Sequence, residues 1–90
     1  MRDFEEQEIL QRLGANIVRF RELRGWSRAD LAILLGVTQR RLAGWETGKH
    51  QLPLEFLVTM SELMEIRVDD FVEKAPEDPL PPLPWSQHPN

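Results

Sequence analysis

The chain has 90 residues, 41% hydrophobic and 29% charged, with a net charge of −4 and no cysteine. That suits one small domain with enough apolar material for a core, and it excludes a disulfide framework or a thiolate zinc site. The opening MRDFEEQEIL carries four acids and no apolar h-region, so no signal peptide is expected; no stretch approaches the roughly 18 apolar residues of a membrane span, and the expected location is cytoplasmic, at the nucleoid.

Helical periodicity runs through most of the chain. Ile9, Leu13, Ile17 and Phe20 recur at helical spacing, with Leu10 and Leu23 widening the stripe, which predicts a first helix over 4–24. Asp3 with Glu6 is a capping-box-like start, and Gly25 is the natural stop. Gly14 inside this helix costs about 1 kcal/mol relative to Ala and admits two readings, close packing or a break. Ser27 caps a second helix with Asp30 completing a box, and Leu31, Leu34 and Leu35 are expected to face inward. Gly36 ends it. Thr38 caps a third helix over 39–46, closed by Gly48. Pro53 opens a fourth, a place proline tolerates, with Phe56, Leu57, Met60, Leu63 and Met64 as its apolar stripe. A short fifth helix over 68–73 buries Val68, Phe71 and Val72. No segment alternates with period two, so no strand is predicted.

From residue 75 the composition changes. APEDPLPPLPWSQHPN holds six of the seven prolines, which excludes regular helix and predicts an extended or flexible tail. The chain thus divides into an extension of the first helix (1–12), a helical domain (13–74) and the tail (75–90).

The charge is segregated. Residues 12–50 carry eight basic groups against three acids, a net of +5, while residues 1–11 and 51–90 carry −3 and −6. A nucleic-acid-binding domain needs a local positive face, not a positive total. Within the basic stretch Gly36-Val37-Thr38 joins two helices. Glycine takes the left-handed turn without a Cβ penalty, Val37 plugs the corner, and Thr38 starts the next helix at once. This is the spacing of a helix-turn-helix, whose second helix enters the major groove.

The ordered segments IVRFRELRGWS, LAILLGVT and WETGK, followed by a proline and an amphipathic helix, resemble the Xre/Cro, lambda-repressor-like helix-turn-helix domains over residues 13–72. The resemblance implies an all-α, compact five-helix bundle, here with a Pro-rich tail. It implies a structural ion pair between Arg21 and Glu46 and inward positions for Leu42 and Trp45. It also implies a small residue, Ala32, where the two motif helices cross. Gln39, Arg40, Ala43 and Gly44 are then expected on the outward, base-contacting face. Arginine can grip guanine O6 and N7, and glutamine adenine N6 and N7. Arg28, Thr38, Arg41, Lys49 and His50 are the expected phosphate contacts.

The sequence departs from the family pattern in four places. Members often carry a long polar residue at the positions of Ala43 and Gly44. The small pair means either deep seating of the helix, with the Ala43 methyl on a thymine methyl, or a loss of readout. Glu65 and Arg67 replace the usual glycine stop and cap before the last helix. Phe4, Ile9 and Leu10 on the N-terminal extension point to extra core packing or to a homodimer surface. Trp85 in the tail is a candidate protein contact.

The expected partner is double-stranded DNA, bound by a homodimer acting as a prokaryotic or phage transcription regulator, most simply a repressor. The competing reading is a protein–protein interaction module or antitoxin-like partner on the same scaffold. An enzyme is not expected: there is no serine-centred elbow or Gly-rich phosphate loop, and His50 and His88 lack partner acids at ligand spacing. No cofactor and no metal are expected.

Overall fold

The computed structural model describes residues 2–73, which form five α-helices and no strand. They are α1 (Arg2–Leu23), α2 (Arg28–Leu35), α3 (Gln39–Glu46), α4 (Leu54–Met64) and α5 (Val68–Glu73). The tail expectations, Trp85 among them, lie outside the described residues.

Local chemistry sets most of the boundaries. Ser27 caps α2: its hydroxyl accepts from the Asp30 amide at 3.0 Å, and the Asp30 carboxylate accepts from the Ser27 amide at 2.9 Å. Gly36 ends α2 in the left-handed region, φ 73°, with its N–H on the Ala32 and Ile33 carbonyls. Thr38 caps α3 by accepting from the Arg41 amide at 3.0 Å. Pro53 is the cap of α4 and not its first turn. Glu65 takes the left-handed stop after α4, φ 57°, at a cost of about 1–2 kcal/mol for a residue with a Cβ. The buried Ile66 behind it, with its amide on the Ser61 carbonyl, holds that turn by burial. The start of α1 is corrected as well: it already includes Asp3, so Asp3 is a helical residue and not the N-cap.

The core gathers one face from each helix: Leu13, Ile17 and Phe20 of α1, Leu31 and Ala32 of α2, Leu42 and Trp45 of α3, Leu57, Met60 and Met64 of α4, Ile66, and Phe71 of α5. Phe20 and Phe71 meet edge-on at 5.0 Å, a favoured aromatic geometry. Leu34 is a correction. Expected inside, it is 48% exposed, because an eight-residue helix wedged between α1, α3 and α4 buries only the stripe through Leu31 and Ala32, with Leu35 at its edge. Ile9 is also exposed, so it adds no core packing within one chain.

One contact escaped the sequence reading, and one glycine is resolved by the structure. Asn16 is fully buried and donates to the Phe71 carbonyl at 2.8 Å, tying α1 to α5. Gly14 is a site of close approach: an added Cβ would lie 2.4 Å from the carbonyl oxygens of both Trp45 and Glu46. Helix α1 remains continuous there, which decides between the two readings of this glycine.

Two outcomes follow. Gly14→Ala should destabilise the fold by about 1–3 kcal/mol in denaturant unfolding, although alanine is the better helix former by about 1 kcal/mol, because backbone faces backbone and no side chain can rotate away. At Asp30 the hydrogen bonds from Ser27, its backbone amide first, hold the carboxyl below its ordinary range. A depressed folded value means the cap contributes stability above the unfolded-state pKa and loses it as pH falls through the folded one. Asp30→Asn should therefore be less stable than the parent at neutral pH. The two thermal midpoints should converge as pH falls through the acid range.

Candidate nucleic-acid interface

The position of α3 is fixed by a buried carboxylate. Glu46, the last residue of α3, has a side chain only 1% exposed. Its Oε2 accepts from Arg21 Nε at 2.7 Å, and its Oε1 from Arg21 Nη2 at 3.3 Å and from Arg28 Nε at 2.8 Å. Arg21 Nη1 donates to the Trp26 carbonyl at 3.0 Å. One carboxylate thus joins α1, α2 and α3, and Arg21 also ties in the loop between α1 and α2. A carboxylate at a helix C-terminus opposes the helix dipole, and two guanidinium groups offset that repulsion. The hydrogen bond to Glu46 in turn raises the Arg21 pKa against the opposing effect of burial.

Arg28 therefore has a structural task that its sequence position did not reveal. Expected on phosphate, it turns Nε toward Glu46, while its side chain stays 41% exposed. The signal was absent because the two residues are 18 apart, beyond any helical spacing.

The outer face of α3 carries Gln39, Arg40 and Arg41, all exposed, with Thr38 exposed at its start. Arg41 lies over the rings of Trp45 and Phe56, 5.1 and 5.2 Å from their centroids, a cation–π placement that holds the guanidinium at the helix flank. Thr38 has its oxygen engaged by the Arg41 amide, leaving its own O–H as a donor. Ala43 is half-buried, and Gly44 is buried rather than outward-facing. What covers it is His50. The amides of Lys49 and His50 both donate to the Gly44 carbonyl, at 2.9 and 3.1 Å, folding the following loop back onto the last turn of α3. Arg40, Ala43, Gly44, Thr47, Lys49 and His50 line one concavity of about 300 Å³.

Chemically, this surface offers hydrogen-bond donors and positive charge on a helix face. Among the described residues no three His, Asp or Glu side chains gather to hold a metal ion, and no helix is long and apolar enough to cross a membrane.

A protein-family model described as helix-turn-helix matches residues 17–71. No curated protein matches the chain.

Removing the carboxylate tests its structural role. Glu46→Ala leaves the buried Arg21 guanidinium unpaired and should cost about 3–5 kcal/mol in equilibrium unfolding. Arg28→Ala removes only the half-exposed partner and should cost clearly less.

Proposed function

Since the chain belongs to the Xre and lambda-repressor type of helix-turn-helix family, whose members are DNA-binding transcription regulators, we propose that it is a sequence-specific regulator that inserts α3 into the major groove and represses by occupying promoter DNA. The observation that carries this reading is the placement of charge on α3 and the loop after it. Arg12, Arg21, Arg24 and Arg28 bond to carbonyls or carboxylates of the body. Arg40 and Lys49, by contrast, have no ion-pair partner among the described residues and border the same concavity. In this reading Gln39 and Arg40 meet base edges, with Ala43 close against them. Lys49, Arg41 and Thr38 hold phosphates, and the exposed side of Arg28 adds to them. The protein works in the cytoplasm, at the nucleoid. A homodimer would place two copies of α3 about 34 Å apart, one turn of duplex; the exposed Ile9 on α1 is a candidate for its contact.

A second reading, an interaction module or antitoxin-like partner on the same scaffold, draws on different residues. Ile33 and Leu34 of α2 and Leu54 and Val58 of α4 are all exposed. Selection of random duplexes at about 0.1 M salt, where exposed charge interactions are substantially screened, separates the two. A shared inverted repeat supports the dimeric reader, and recovery of no common sequence supports the interaction module.

Within the DNA-binding reading, Arg40→Ala should cost about 1–3 kcal/mol of binding and relax preference at one base pair. Lys49→Ala should weaken all sequences alike and reduce the slope of log affinity against log salt by about one. Titrations of cognate and scrambled duplexes at several salt concentrations check both. Equal behaviour of the two variants would refute the division into base and phosphate contacts.

A further inference from the structure

The reading face has a gap at Gly44, and the fold closes it. An ideal Cβ on Gly44 would lie 2.5 Å from Cδ2 and 3.3 Å from Cγ of His50. The imidazole therefore stands where a side chain at position 44 would begin. Its seat is set by the backbone, since the amides of Lys49 and His50 both reach the Gly44 carbonyl. His50 is exposed, and its ring borders the concavity that Arg40 and Ala43 also line.

We propose that His50 is a specificity-determining residue. Seated on Gly44, its imidazole takes the place of the side chain that α3 lacks and reads a base edge beside Arg40, which lines the same concavity. This rests on the DNA-binding function proposed above, and it replaces the phosphate contact expected for His50 from the sequence. An imidazole ring brings a directional N–H donor, and guanine presents two acceptors, O6 and N7, in the major groove. The partner is accordingly a purine edge, guanine foremost. The same geometry accounts for the glycine. A side chain at position 44 and a seated His50 exclude each other, so Gly44 is the condition for readout by His50 and not a loss of readout. The conflict falls on the tip of a side chain rather than on backbone. A methyl group at position 44 displaces the ring and leaves the helix intact, the reverse of the situation at Gly14.

The test compares the full chain with His50→Ala, Gly44→Ala and the double variant by random-duplex selection and thermal melting. The expected result is a motif selected by the parent in which one base pair loses its preference, by about tenfold, in both single variants. The double variant should lose no more than either single one, because both remove the same contact. The melting temperature of Gly44→Ala should hold or rise, since alanine favours helix over glycine. Should Gly44→Ala fail to fold, His50→Ala alone decides, as its side chain is exposed. If His50→Ala keeps the full motif and weakens every sequence equally, His50 is a phosphate contact; this inference falls and the DNA-reading function stands. If the parent selects no motif, both fall.

Discussion

The fold depends on the Glu46 carboxylate. It is buried at the electrically unfavourable end of α3, and it is stable there because Arg21 reaches it from α1 and Arg28 from α2. A buried charge left unpaired is strongly destabilising, so the three helices are tied to one relative position. That position sets how α3 projects from the body. The steric counterpart lies beside it. Gly14 brings α1 against the Trp45 and Glu46 carbonyls, and Gly48 meets Gln11 of α1 in the same way. The end of α3 is thus clamped against α1 by a polar contact and by the absence of side chains.

The basic middle of the chain is less a DNA-binding face than its charge count suggests. Arg12 donates to the Val72 carbonyl and Arg24 to that of Met64, both at helix C-termini, where cations complement the dipole and the unpaired carbonyls. Burial lowers the Arg24 pKa, with the nearby Glu65 opposing it. Arg21 and Arg28 serve Glu46. Arg40, Arg41 and Lys49, which make no ion pair among the described residues, lie on α3 and the loop after it.

Gly14 and Gly44 show why the same residue in two helices carries opposite meanings. Both weaken a helix by propensity. At Gly14 the neighbour is backbone and cannot yield; at Gly44 it is the ring of His50, which can. The first glycine serves docking of α1 on α3, and the second shapes the outer surface of α3. Ile33 and Leu34 make a related point on α2, where apolar character did not imply burial.

The sequence by itself determined the helices, the caps of α2 and α3 and most of the core. Ser27 with Asp30, Thr38 with Arg41, Gly36 at the turn and the stripes of α1 and α4 all act over three or four residues, so spacing encodes them. It also carried the resemblance from which the Arg21–Glu46 pair could be named. It did not reveal Arg28 on the same carboxylate, Asn16 on the Phe71 carbonyl, the outward Leu34 or the ring of His50 over Gly44. Those were decided by tertiary structure, because they join residues whose proximity no helical repeat specifies. They arise only when α1, α2 and α3 have packed and set which atoms face each other across the gap.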